Sequence, residues 1–478
     1  MKRTRWLFAV LVAFALVAAA CGDDADETTT TAAAAETTTT AAAETTTTAA
    51  GETTTTAAPS GMVDMTGADF HFPGAPVAVE GDANQGFIDL YNLKNGSQIT
   101  FSGSDAYETQ IRIQVEGGDA PAVSFTPQPA MVCEFAELGE LVALEDAGFD
   151  IAELEATRGK FLMDIAVCAD GKHYGIPWYP NSKSIVFHRA DVFAAQEYEV
   201  PATYADLVAL STQMVTDGFT PWCFGYGSDA ATGWPGTDWI EDIMVRMHGV
   251  DKYKAWTTGD LRFNTPELKA TFEKFEEILF GEGFVLGGAQ NVAATNFRDT
   301  PLPMFNDPPS CLMMKQGSFI SAYFPTDADP NLVSIMPFPT VDGGSGSLGG
   351  ADYLMIFDDD PQVVQFVEDI ISPLWMCAHG SADGGTASPI GGHGVEGVNF
   401  MPGHVDVSPD CYKVGTDAVL LATAITEAIN SNSFVFDGGD AMPAEVGSGT
   451  FWTGMIDHSR GTDLDTVLAE IDSAWPGG

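Results

Sequence analysis

A Glu-Thr-Thr-Thr-Thr-Ala-Ala unit recurs from Glu27, Glu36, Glu44 and Glu52, and it limits where this chain can fold. Residues 23–60 carry no aromatic and no large apolar side chain. They cannot bury enough surface to offset the entropy of ordering them. The segment reads as a disordered tether that reaches at most about 130 Å when fully extended. Any core must come from about residue 62 onward. There the chain has the means, because 45% of all residues are apolar and only 18% are charged. The charge is one-sided, with 20 Lys and Arg against 67 Asp and Glu and a net charge of −47. Phosphate backbones are bound by Lys and Arg, so nucleic acid is excluded as a partner. Electrostatic attachment to anionic lipid is excluded for the same reason.

Before the tether, Lys2, Arg3 and Arg5 precede an apolar run over 6–20, then Cys21 and Gly22. The run is short for a bilayer span, which needs about 20 residues. The arrangement resembles a bacterial lipoprotein signal peptide, with Ala18 where Leu is preferred. The resemblance implies removal of residues 1–20 and acylation of Cys21, leaving 21–60 as lipidated Cys and tether. Two or more acyl chains give stable anchoring. This places the protein on the extracytoplasmic face of a bacterial cell membrane.

Among the 7 cysteines, Cys133, Cys168, Cys223, Cys311, Cys377 and Cys411 remain once Cys21 is set aside. An even number suits an oxidising compartment, and several connectivities stay open. No C-x-x-C occurs, so neither a zinc knuckle nor a thioredoxin-like site is supported.

Apolar spacing predicts helices over 204–215, 239–247, 267–280, 361–371 and 464–471. In the third, Leu268, Phe272, Phe275 and Leu279 share a face, and Pro266 suits the first helical position. Short apolar runs predict buried strands over 98–101, 122–125, 184–187, 333–336 and 353–357. The alternation argues for an α/β class with mainly parallel sheets. Ile111, Ile113 and Val115 alternate like a strand, although 106–110 is compatible with helix.

There is no H-E-x-x-H, G-x-S-x-G or P-loop. Two G-x-G-x-x-G matches, from Gly344 and from Gly392, lack the strand and helix that a dinucleotide site needs. His379, His393 and His404 have no ligand-like spacing. No cofactor and no metal is expected. Aromatic residues do recur beside polar ones in loop-like segments, at 175–183, 232–239, 316–319, 349–353 and 442–452. A sugar has apolar C–H faces and a rim of hydroxyls, and it suits aromatic plates flanked by a few convergent polar groups.

In this order the segments resemble the extracellular solute-binding proteins of ATP-binding-cassette sugar importers, above all the α-glucoside-binding branch. The resemblance covers about 97–476. It is carried by YETQIR at 107–112 with EGGDAP at 116–121, GKHYGIP at 171–177, PWC at 221–223, ATGWPGTDWIED at 231–242 and MPAEVGSGTFW at 442–452. It implies a two-lobed periplasmic-binding-protein fold of type II, like that of maltose-binding proteins, with a hinge between discontinuous lobes. Lobe 1 would comprise 62–178 and 344–390, and lobe 2 would comprise 179–343 and 391–478. Crossings are expected near 178–183, 339–350 and 389–394. The resemblance favours helix at 106–115. With chain proximity, it also favours the pairs Cys133–Cys168, Cys223–Cys311 and Cys377–Cys411.

It implies a function as well. A monomer would bind a carbohydrate, an α-glucoside or α-linked oligosaccharide, between the lobes and deliver it to permease subunits, catalysing nothing. Carried over by position, the ligand contacts are Ser104, Asp105, Gln128, Asn181, Asp352 and the plates Trp234, Phe319 and Trp452, with Asp238 and Glu445 as further hydroxyl partners. Capping or dipole pairing at a helix N-terminus is the alternative for Asp238 and Glu445. A surface salt bridge is the alternative for Lys183. The chain departs from the family pattern at the Pro-rich 68–74, where the first strand is in doubt, and at the Gly-rich 342–350. Other readings are the same fold holding a non-sugar solute, such as a cationic one in so acidic a chain, or serving as a sensor. A secreted glycoside hydrolase would need a carboxylate pair at a set separation.

Overall fold

Two groups of strands organise the protein. The computed structural model describes residues 62–411 and 433–476; Cys21, the tether and the signal-like segment lie outside the described residues. β1 (His71–Gly74) and β2 (Thr100–Gly103) pair in parallel, Phe72 opposite Phe101. The Pro-rich 68–74 thus does end in a strand. β3 (Val123–Thr126) and β4 (Ile176–Ser182) both pair antiparallel with the long central strand β8 (Ser347–Ile356). β5 (Ile185–Arg189) lies between β6 (Met313–Lys315) and β7 (Val333–Pro337), antiparallel to both. β9 (Phe434–Phe436) adds to the start of β8 in parallel.

Among the described strands, therefore, antiparallel pairing prevails, against the expectation of mainly parallel sheets. A short apolar run reports burial but not direction. Direction follows from the long excursions between spatial neighbours, which bring β8 back between β3 and β4.

Helices form where the periodicity predicts. Tyr204–Thr216 opens on a capping box between Thr203 and Asp206, and Pro266–Leu279 has Pro in its first turn. Tyr107–Glu116 resolves the ambiguous stretch as helix: Ile111 and Val115 are buried four residues apart, and Ile113 is exposed.

One core gathers Phe72, Phe87, Phe125, Trp178 and Phe366. Another gathers Trp222, Trp239, Trp256, Phe275 and Phe338. A third cluster, with Tyr107, Tyr353, Phe187 and Met314, draws on both groups of strands. The chain passes between the groups from β4 through Lys183 and Ser184 into β5, and again from β7 into β8. The third expected crossing, 389–394, is displaced. Val398, Phe400, Val407 and Cys411 still bury in the core of Phe72, and Val435 is the residue that enters the core of Trp239. The segment expected to open lobe 2 at 391 therefore packs with the first core, where the His393 carbonyl would lie 2.0 Å from a Cβ at Gly86.

The bonds Cys133–Cys168, Cys223–Cys311 and Cys377–Cys411 are formed, with Cα separations of 5.2, 5.4 and 4.9 Å. Among the described residues no helix is long and apolar enough to cross a membrane.

Candidate functional site

The end of β4 with the passage after it, and the middle of β8, line a cavity of about 240 Å³. β4 contributes Tyr179 and Asn181, with Lys183 just beyond its end, and β8 contributes Asp352. The pairing explains how. Pro177 is opposite Tyr353 and Pro180 is opposite Ala351, so Trp178 and Tyr179 share Asp352 as their partner. This is a β-bulge, the device by which strands re-aim side chains beside sites. Asn181 is paired with Gly350, and its Oδ1 is buried without a hydrogen-bond partner.

The aromatic wall comes from distant segments. Trp234 opens the helix Trp234–His248, and Trp452 opens the helix Trp452–Ser459. Gly233 lets them meet. Its φ is +124°, and a Cβ there would lie 2.2 Å from the Trp452 carbonyl oxygen, so no other residue fits. Phe297 and Phe319 stand 5.0 and 5.9 Å from the Trp234 ring, centroid to centroid. Lys183 Nζ lies over the same ring at 5.0 Å.

Carboxyl groups line the cavity as well. Burial pushes Asp352 up to about 8; nearby Glu80 adds to the rise and Lys183 opposes it. Burial likewise pushes Glu80 up to about 7, against the hydrogen bond from Tyr323 and the charge of Arg298. Tyr323 donates its hydroxyl to Glu80 Oε2 at 2.5 Å, and Arg298 Nε donates to the Tyr323 oxygen at 3.2 Å. Arg298 also pairs with Asp105 at 2.9 Å. Glu108 and Asp440 face the cavity too, both raised chiefly by burial.

Of the residues expected at the site, Gln128, Asn181, Trp234, Phe319, Asp352 and Trp452 line the cavity, as does Lys183. Four others do not. Ser104 Oγ accepts from the Ala106 amide at 3.1 Å and closes its own turn. Asp105 pairs with Arg298, which does line the cavity. Glu445 is exposed at the start of the helical turn Glu445–Phe451. Asp238 lies behind the wall, 3.1 Å from Lys183 Nζ. Lys183 is 5% exposed and also pairs with Asp437, so it is no surface bridge. Around it Glu241 accepts from the Gly438 and Gly439 amides at 2.8 and 3.0 Å, and Gln128 Nε2 donates to Asp440 at 3.1 Å.

Sequence reasoning missed Glu80, Arg298, Tyr179 and Asp440. Arg298 carried a signal, as one of few cations beside an aromatic. Glu80 and Asp440 had none in so acidic a chain.

The bacterial extracellular solute-binding protein family matches residues 75–373. The chain belongs to that family. This solute-binding protein is 34% identical over 385 residues to the osmoprotective compounds-binding protein GgtB of Synechocystis sp., covering 80% of this chain and 86% of the relative. It is 32% identical over 402 residues to the alpha-glucosides-binding periplasmic protein AglE of Rhizobium meliloti, covering 80% and 81%. Both are binding proteins rather than enzymes. Among solved structures, maltose-bound MalE3 of T. maritima superposes with a TM-score of 0.65 at 14% identity, covering 85% of this chain and 98% of that one. RafE in complex with raffinose gives 0.64 at 17% identity, covering 85% and 98%. The fold of this solute-binding protein is accordingly the two-lobed type, and its cavity lies beside the passage from β4 into β5.

Proposed function

We propose that this solute-binding protein holds a small α-glucoside in the cavity and hands it to an ABC permease, with no chemistry of its own. The observation that carries the reading is the pairing of aromatic plates, Trp234, Phe319 and Trp452, with polar groups that lack protein partners, Asn181 Oδ1 above all. Buried acceptors left unpaired are costly, and ligand hydroxyls would satisfy them. The names of GgtB and AglE support the class. At about 240 Å³ the cavity lies just under the range of about 300–1,000 Å³ for small-molecule sites, which favours a small solute over a long oligosaccharide. We place lobe 1 at 62–182 and 347–411 and lobe 2 at 183–346 and 433–476, closing on each other about the passages. Acyl chains on Cys21 would hold the monomer at the membrane while the tether lets it reach the permease.

A second reading has one observation in its favour. Glu80, Glu108, Asp352 and Asp440 line the cavity, while Lys183 and Arg298 are already paired. A cationic solute would find charge to meet. Calorimetric titration with sucrose, trehalose, maltose, glucosylglycerol and spermidine separates the two. Heat from a neutral glucoside, lost in Trp234→Ala, supports the first. Heat from spermidine alone would overturn it.

A further inference from the structure

His173 carries an unused ring nitrogen. It lies just before β4, on the face where the helices Ile151–Arg158 and Lys160–Ile165 meet. Its Nδ1 is 2.8 Å from Glu145 Oε1, and its backbone amide donates to both oxygens of the same carboxylate at 3.2 Å. The Leu144 amide in turn donates to the His173 carbonyl at 2.8 Å. The ring is therefore held in one orientation. The residue is 9% exposed, and Nε2 is buried with no hydrogen-bond partner. When Nδ1–H is donated to a carboxylate, Nε2 presents a lone pair. That is the arrangement in which a carboxylate orients a histidine for a metal.

Two more donors are at hand. A nitrogen of His173 and one carboxylate oxygen each from Glu155 and Asp164 lie within 4.8 Å of one another. A positive charge already sits on these carboxylates: Lys160 Nζ bridges Glu155 at 2.8 Å and Asp164 at 2.5 Å. The Lys160 side chain is 64% exposed, so it can swing into solvent when a stronger cation arrives.

We propose that Glu155, Asp164 and His173 form a zinc site, separate from the ligand cavity, with Lys160 as the cation it displaces and Glu145 as the group that orients the imidazole. One imidazole and two carboxylates suit zinc, and they do not suit calcium, which takes oxygen ligands only. Three protein donors leave the fourth tetrahedral position to water. The carboxylates must draw inward to reach about 2 Å from the metal, and both sit on short helices at the surface. Linear spacing gives no hint of the site, because His173 and Asp164 are separated by the turn that the Cys133–Cys168 bond secures.

The test is titration of the full chain, stripped with EDTA, with zinc sulfate. Cobalt chloride serves as the optical probe and calcium chloride as the control. One saturable zinc site is expected, with an intense visible cobalt spectrum of tetrahedral type and no calcium response. Asp164→Asn and Glu155→Gln, at the surface, should abolish it while melting normally without metal. His173→Asn should abolish it too. Glu145→Gln should weaken it by about 10–100-fold, and Lys160→Ala should tighten it. Absence of a saturable site, calcium binding of equal strength, or zinc binding unchanged in both Asp164→Asn and His173→Asn would overturn the proposal.

Discussion

Asp352 and Tyr179 face one cavity because a bulge in β4 sets two residues, Trp178 and Tyr179, against the single Asp352 of β8. The carboxyl so placed is raised to about 8 by burial, and Glu80 is raised to about 7. Folding therefore binds protons more tightly at both groups than the unfolded chain does. Their contribution to stability is complete below the ordinary carboxylate range and is lost as pH rises toward about 8. Urea midpoints of the ligand-free protein should fall from pH 5 to pH 8, and Asp352→Asn should flatten that fall. Superimposable profiles for the two proteins would remove Asp352 as the source.

Tyr323 and Arg298, on the proposed lobe 2, bond to Glu80 and Asp105 of the proposed lobe 1. Hydrogen bonds to charged groups contribute about 1.5–3 kcal/mol. Tyr323→Phe should shift small-angle scattering of the free protein toward a more open form and weaken glucoside binding severalfold. An unchanged scattering profile would show that the bond does not hold the lobes together.

Gly233→Ala meets two obstacles at once, a φ of +124° and the Trp452 carbonyl 2.2 Å from the new Cβ. Strain of this kind costs on the order of 1–3 kcal/mol. The variant should lower the urea midpoint and lose ligand binding together, because Trp234 follows directly. Normal binding at full stability would mean the backbone there can relax.

Lys183 is the ammonium between Asp238 and Asp437, behind the Trp234 ring. Removing one partner of a buried pair costs about 3–5 kcal/mol. Lys183→Met should be strongly destabilised, and Asp238→Asn in the same chain should restore part of the loss. A double-mutant cycle from chemical denaturation measures the coupling, and a coupling near zero would show that the two residues are independent.

Much of this architecture could be read in advance where one face of an element is buried. The helices Tyr204–Thr216, Pro266–Leu279 and Pro361–Ile370 follow apolar spacing almost residue for residue. Trp234–His248 begins five residues earlier than the periodicity suggests. Its first turn is spent on the cavity, so Gly233 and Pro235 mark the start and apolar spacing does not. β8 was visible only in its apolar half: Ser347–Gly350 has no side-chain signal, yet it carries the pairing to Asn181 and β9. Within the cavity, aromatic plates stood out by type and neighbourhood. Asp238 and Glu445 misled because a carboxylate near a Trp reads alike whether it meets a ligand, a buried lysine or solvent. What separates those cases is the three-dimensional placement of Lys183, and nothing local encodes it.

The ladder between β4 and β8 has a consequence for closure. Asn181 and Asp352 ride on hydrogen-bonded neighbours, so bending at the passages moves them together. Trp234, Phe319 and Trp452 belong to segments outside that ladder. Any closure about the passages would therefore carry the polar pair as one unit and the aromatic residues separately from it.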